Sequence, residues 1–175
     1  MTRVLVAYAS KNGSTAGVAE AIGGSIAAAG FDVDVVPAGW ARDVEGYDAV
    51  VVGSAIYSSR WRPDAVRFLR RNLDALAAKH VWLFQSGPLD PSAESRGQGL
   101  PSQVSSLAHR IGARGYVTFG GKLDKHASGF IARAMVRNGA GGDFRNFERI
   151  RAWGHDVSRE LTGLLTPAAL QTMQE

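Results

Sequence analysis

The stretch "RVLVAYASKNGSTAGVAEAI", residues 3–22, joins an apolar run to a small-residue helical pattern through one polar loop. "RVLVAY" (3–8) is nearly continuous in apolar residues, as expected of a parallel strand covered on both faces. The Ala-rich pattern over 14–29 reads as a helix. Between them stand Ser10, Lys11, Asn12, Gly13, Ser14 and Thr15, all small, hydroxylated, amide-bearing or cationic. Such a loop has two readings. Ser14 and Thr15 can cap the helix by satisfying orphan amides, or helix-start amides, hydroxyls and the positive dipole end can converge on a phosphate.

The strand–loop–helix unit repeats along the chain. "FDVDVV" (31–36), "DAVVVGS" (48–54), "HVWLFQS" (80–86) and "GYVTFGG" (115–121) read as four further strands. "FDVDVV" alternates, which suits an edge strand with one face partly wet. Helical patterns cover 63–78, with Pro63 at a first helical position, roughly 101–112, and 144–164, ended by Pro167. The expected fold is therefore α/β: a doubly wound five-stranded parallel sheet with helices on both faces and an insertion after strand five. One domain over 1–175 is expected, with the insertion at about 121–143. Ligands in such sheets sit at the carboxyl ends of the strands, which selects the loops 9–15, 54–62, 86–100 and 120–128.

Composition narrows the function. Apolar residues make up 45% and charged residues 21%, ordinary for a globular protein. The chain has no Cys, so a disulfide framework, a thiolate metal site and a Cys nucleophile are excluded. That absence suits a reducing cytoplasm. No run reaches the ~18 consecutive apolar residues of a membrane span, and Lys11 comes too early for a secretory leader.

Two familiar phosphate cradles do not match the first loop. Walker A needs GxxxxGK[ST], but Lys11 precedes Gly13 and is followed by Asn12. The dinucleotide fingerprint needs GxGxxG, and only Gly17 follows Gly13. Hydroxyls and amides with a single glycine suit a terminal phosphate monoester, whose three free oxygens accept many hydrogen bonds.

The later loops offer room for a flat ligand. In "GSAIYSSRW" (53–61), Gly53, Ser54 and Ala55 allow close backbone approach, while Ile56, Tyr57 and Trp61 supply apolar walls. The plain alternative for Trp61 is packing on the helix at 63–78. "QSGPLD" (85–90) turns through Gly87 and Pro88 and would present backbone groups edge-on.

In these three loops the chain resembles the flavodoxin family, which binds flavin mononucleotide (FMN) non-covalently. "YASKNGST" resembles its phosphate loop, and "GSAIYSSRW" and "FQSGPLD" its two ring loops. The resemblance implies the strand order 2-1-3-4-5. It also implies that Ser10, Lys11, Asn12, Gly13, Ser14 and Thr15 form the phosphate loop. Ser54, Ala55, Ile56 and Tyr57, with Ser86, Gly87, Pro88 and Leu89, would border the ring. Thr is commoner in the family where Ser10 and Asn12 stand, and the cradle chemistry is the same. A deazaflavin, or a flavin-free interaction role, is also compatible with the phosphate loop alone.

The net charge of +4 sits in one segment. Lys122, Lys125, Arg133, Arg137, Arg145, Arg149 and Arg151 face only Asp124, Asp143 and Glu148 over 121–151, and the rest of the chain balances. "KLDKHASGFIARAMVRNGAGGDF" (122–144) is longer than an ordinary connection, and such loops are usually functional. Its "GFIARAMVR" places Phe130, Ile131, Ala134 and Met135 on one helical face flanked by Arg133 and Arg137. It can pack on its own domain, contact a second copy as a homodimer, cover the flavin, or lie on an anionic membrane through 122–137.

This segment, with "GDFRNFERIRAW" (142–153), resembles more narrowly the flavodoxin-type, quinone-dependent protoporphyrinogen oxidases and their relatives. That resemblance implies an FMN-dependent dehydrogenase that takes hydride from a carboxylated porphyrinogen and passes electrons to a quinone. Its expected place is cytoplasmic, peripheral on the inner face of the membrane. The alternative is a soluble electron carrier docking on redox partner proteins. Carrier flavodoxins are typically acidic around the flavin, whereas here Arg60, Arg62 and Lys122 lie close in sequence to the ring loops. Cations there favour reduced anionic flavin and tilt the expectation towards the dehydrogenase.

Other chemistries find little support. His80, His109, His126 and His155 are scattered without ligand spacing, so no metal is expected. The flavin would do the chemistry, with His126 a proton acceptor at most, against a solvated loop His. No GxSxG occurs. No element of the basic segment interleaves aromatics and cations as a nucleic-acid reader would, so no nucleic-acid partner is expected.

Overall fold

Three nearly continuous apolar runs demand cover on both faces, and the computed structural model gives it to them. It describes residues 1–87, 98–123, 133–134, 137 and 142–166. In chain order the elements are β1 (Arg3–Ala9), α1 (Ser14–Ala28), β2 (Asp32–Pro37), β3 (Ala49–Tyr57) and β4 (Arg60–Trp61). Then follow α2 (Pro63–Arg71), α3 (Leu73–Ala77), β5 (His80–Ser86), α4 (Ser102–Arg110) and β6 (Gly115–Phe119). The two-residue strands β7 (Lys122–Leu123) and β8 (Gly142–Asp143) precede α5 (Phe147–Leu165).

The long strands lie in the order β2-β1-β3-β5-β6, all parallel. With the short β4 set aside, this is the doubly wound 2-1-3-4-5 order. Successive side chains point to opposite faces, so each strand feeds two cores. Leu5, Val50, Val52 and Leu83 pack with Phe68, Leu69, Leu76, Val104 and Leu107 of α2, α3 and α4. Val4, Val6, Val51 and Phe84 pack with Val18, Ile22, Ile150 and Val157 of α1 and α5. Each fully buried aliphatic contributes roughly 1.5–3 kcal/mol. β2 at the edge is only half-buried along its length, as its alternation predicts.

Several elements differ from the sequence expectation, each for a local reason. The single helix expected over 63–78 is two, because Asn72 leaves helical geometry and its Nδ2 donates to the Phe68 carbonyl at 3.0 Å. β3 runs to Tyr57 rather than 54, since its end folds back as a hairpin with β4 in the register Ile56↔Trp61 and Tyr57↔Arg60. Ser58 and Ser59 make the two-residue turn with φ of 47° and 58°. A turn of this type suits the strand twist but favours Asn-Gly. Strand five ends at Phe119 rather than 121, and β7 pairs antiparallel with β8. α5 starts at 147 rather than 144, where the Asn146 side chain accepts from the Arg149 amide at 3.1 Å.

Of the expected amphipathic stretch 129–137, only Arg133, Ala134 and Arg137 are among the described residues; they are helical, with Arg133 and Arg137 exposed. Phe130, Ile131, Met135 and His126 lie outside them, as does the expected helix stop at Pro167. Among the described residues no helix is long and apolar enough to cross a membrane.

Candidate functional site

The sheet topology carries the ends of β1, β3, β5 and β6 to one edge, and hydrogen bonds between their loops stitch that edge together. Asn12 Nδ2 donates to the Tyr57 hydroxyl at 3.3 Å, joining the β1 loop to the β3 loop. The Lys122 amide donates to Ser14 Oγ at 3.0 Å, joining the β1 loop to the segment after β6. The Gly87 amide donates to the Phe119 carbonyl at 3.3 Å, and Ser86 Oγ to the Gly120 carbonyl at 3.4 Å. Four loops, scattered in sequence, share one surface.

Within the first loop the plain cap reading fails. The N-cap of α1 is Gly13, in the left-handed region at φ 82°, and no side chain caps the helix. Only glycine holds that backbone without strain. No acidic residue stands in the first turn of α1, so its positive dipole end is not neutralised locally. Ser10 Oγ accepts from the Gly13 amide at 3.0 Å, and Ser14 Oγ accepts from Lys122. A hydroxyl that accepts from an amide keeps its own O–H for another acceptor. Thr15 is 1% exposed and its Oγ1 has no hydrogen-bond partner among the described residues. A buried hydroxyl of this kind costs free energy unless something completes it. The donor set therefore fits an anion with several acceptor oxygens, as a phosphate monoester has. Lys11 is exposed beside it.

The loop after β3, expected to border a flat ring, closes as the hairpin with β4. Ala55 is buried, Ile56 half-buried and Tyr57 exposed, so an apolar surface does end at this edge. The Ser54 side chain is spent internally: its Oγ donates to the Ala55 carbonyl at 2.8 Å and accepts from the Arg62 amide at 2.9 Å. Trp61 does not form a wall. It is 2% exposed, in the core with Val66 and Phe68, and its Nε1 donates to Gln85 Oε1 at 3.0 Å. Of the second ring loop, Ser86 is buried and Gly87 half-buried, while Pro88 and Leu89 lie outside the described residues.

Charge at this edge is arranged by the flanks of the insertion. Asp143 receives Arg145 through Nε at 2.9 Å and Nη2 at 2.7 Å. That paired guanidinium holds the Asp143 carboxyl below the usual carboxylate range, against a smaller opposing effect of burial. Arg145 Nη1 also donates to the Ser14 carbonyl at 3.4 Å, and its guanidinium stacks over Phe147. Arg149 reaches the Thr118 carbonyl at 2.8 Å over the Phe119 ring. Among the described residues no group of three or more His, Asp or Glu is placed to hold a metal.

Sequence reasoning missed Gln85 and the structural roles of Asp143 and Arg145. A polar Gln inside the apolar run "HVWLFQS" was a legible signal, since buried polar groups are nearly always hydrogen-bonded. The Asp143–Arg145 pair left no comparable mark.

Residues 5–140 match the family model described as "Flavodoxin domain". Among solved structures, a flavodoxin from the domain Archaea is similar at 16% identity and a TM-score of 0.60, covering 92% of this chain and 99% of its own. Flavodoxin 1 of Bacillus cereus is similar at 14% identity and a TM-score of 0.57, with 87% and 95% covered. Rubredoxin oxygen:oxidoreductase of Desulfovibrio gigas is similar over 95% of this chain but only 38% of its own, at 14% identity and a TM-score of 0.64. At these identities the likeness shows the fold. No curated protein matches the sequence. Nothing in these comparisons supports the narrower likeness to protoporphyrinogen oxidases.

Proposed function

Because the chain belongs to the flavodoxin domain family, we propose that it binds FMN at the carboxyl edge of the sheet and carries electrons between redox partner proteins. The observation that carries this reading is the uncapped start of α1, with the buried Thr15 hydroxyl left without a partner among the described residues. FMN is the family's cofactor, and when bound it supplies one- and two-electron chemistry at its ring. Ser10, Ser14 and Thr15 would hold the phosphate by their hydroxyls, with Gly13 allowing the turn. Ala55, Ile56 and Tyr57 would exclude water on one side of the ring, and Gly87 would border its edge. The test is the absorbance of the purified protein, and of the apoprotein on adding FMN. Flavin bands and tight binding are expected; no bands and no binding overturn the reading.

A second reading rests on charge. The ring loops 53–61 and 85–90 contain one carboxylate, Asp90, while Arg60 lies within the first, Arg62 follows it and Lys122 opens the basic segment after β6. Cations near the ring favour reduced, anionic flavin and support a dehydrogenase that takes hydride from a carboxylated porphyrinogen and delivers electrons to a quinone. Bleaching of the flavin bands by a porphyrinogen, restored by a quinone, would favour this enzyme over the carrier. Membrane contact through 122–137 would serve it. Liposome flotation of the chain with and without 127–137 tests that contact, and binding that survives the deletion rules it out.

A further inference from the structure

Gln85 is fully buried near the carboxyl end of β5, and both ends of its amide are used. Oε1 accepts from Trp61 Nε1 at 3.0 Å. The two N–H of Nε2 are shared among Thr118 Oγ1 at 2.9 Å and the carbonyls of Gln98 and Gly99 at 3.2 and 3.3 Å. The partners fix the orientation: an indole N–H only donates and a carbonyl only accepts. Thr118 Oγ1 in turn donates to the Gln98 carbonyl at 3.1 Å.

One amide thus ties together β4, which closes the first ring loop, β6, and the chain at 98–99 that follows the second ring loop. On the other side of Trp61, the Arg62 amide is held by Ser54 Oγ at 2.9 Å. The first loop is pinned at consecutive residues, once to β3 and once to Gln85. A buried, fully satisfied network of this kind rigidifies what it joins.

We propose that Gln85 is a positioning residue: it holds the end of the loop after β3 against β6 and the chain at 98–99, and so sets how strongly the protein discriminates oxidised from reduced FMN. The inference rests on the FMN reading above. Oxidised and reduced FMN differ in ring charge and in ring N–H donors, so fixed backbone groups favour one over the other. Gln85 itself, with no exposed surface, acts only through the loops it holds.

The isosteric Gln85→Glu keeps an acceptor for Trp61 but offers at most one O–H where the amide had two N–H, so the tether to Thr118 and the 98 and 99 carbonyls is cut back. Trp61→Phe removes the opposite bond alone. Dissociation constants of the apoprotein for FMN and riboflavin, and the potential of the bound FMN, are to be measured. Q85E is expected to weaken FMN and riboflavin by the same factor, about fivefold or more, because the phosphate loop is untouched. It is also expected to change the ratio of affinities for oxidised and reduced FMN about threefold or more. W61F is expected to shift that ratio in the same direction by less.

A folded Q85E with an unchanged ratio overturns the inference and leaves the FMN reading standing. Should Q85E fail to fold, an unchanged ratio in W61F overturns it instead. A wild-type protein that binds neither flavin overturns the FMN reading and this inference with it.

Discussion

The backbone amide of Lys122 donates to the Ser14 hydroxyl at 3.0 Å, joining residues 108 positions apart in the chain. The start of α1 and the segment that follows β6 are thereby one unit. The bond also orients Ser14: with a lone pair taken by the amide, its O–H is left to donate at the helix start.

Ser14→Ala removes both functions. The Lys122 amide loses its partner, which destabilises the apoprotein by about 1 kcal/mol, and FMN loses a charge-assisted donor, weakening binding roughly tenfold. Urea denaturation and fluorescence titration measure the two effects. Riboflavin, which lacks the phosphate, should bind as it does to the unsubstituted protein.

Thr15→Val separates stability from binding. The substitution is nearly isosteric and deletes a buried hydroxyl that has no partner among the described residues. The apoprotein should hold its stability or gain up to about 1 kcal/mol, while FMN affinity falls roughly tenfold or more. A loss of stability without a loss of affinity would show that the hydroxyl serves the fold instead.

The hairpin turn stores strain. Ser58 and Ser59 both sit in the left-handed region, at φ 47° and 58°, where residues with a Cβ are disfavoured. Replacing the pair with Asn-Gly should raise stability by about 1 kcal/mol, read as a higher urea midpoint with an unchanged slope. An unchanged midpoint would show that the turn is unstrained.

Gly53 lies against Phe84 so closely that a Cβ would run into the ring. Phe84 is fully buried between β5 and α5, edge-on to Trp153, and has no room to yield. Gly53→Ala should cost at least about 2 kcal/mol, seen as a lower melting temperature. Gly24→Ala on α1, where nothing lies within 4 Å of the new carbon, should be neutral or stabilising.

Glu160 links α5 to the sheet, accepting from Arg114 Nε at 2.8 Å and Trp82 Nε1 at 3.0 Å. Burial pushes its carboxyl up, but the hydrogen bonds from Arg114 and Trp82, together with the charge interactions with Arg114 and His80, outweigh burial and hold it below the ordinary 4.5. A depressed folded pKa contributes stability in full above that ordinary value and loses it as pH falls through the folded one. Glu160→Gln should therefore flatten the decline of the urea midpoint with acid below about pH 4.5. An unaltered acid limb would show that Glu160 does not contribute to it.

The sequence by itself determined the sheet. Val4 to Ala7, Val50 to Val52 and Val81 to Phe84 are apolar without interruption, each run short and followed by a Gly- or Ser-bearing turn and a helical pattern, as parallel strands covered on both faces are. The hydroxyls, amides and lone glycine of the loop 10–15 were legible as a helix cap or an anion cradle, and local chemistry alone did not choose between them.

What tertiary structure decided was which groups are already spoken for. Nothing in "GSAIYSSRW" says that Trp61 turns inward to Gln85 or that the Ser54 hydroxyl is consumed by Ala55 and Arg62. Nor does the first loop say that Thr15, rather than Ser14, is the hydroxyl without a partner among the described residues, since Ser14's partner stands 108 residues away. Hydrogen-bond satisfaction is a long-range property: a donor's partner is fixed by which strand ends the topology brings together, and local sequence holds no record of that.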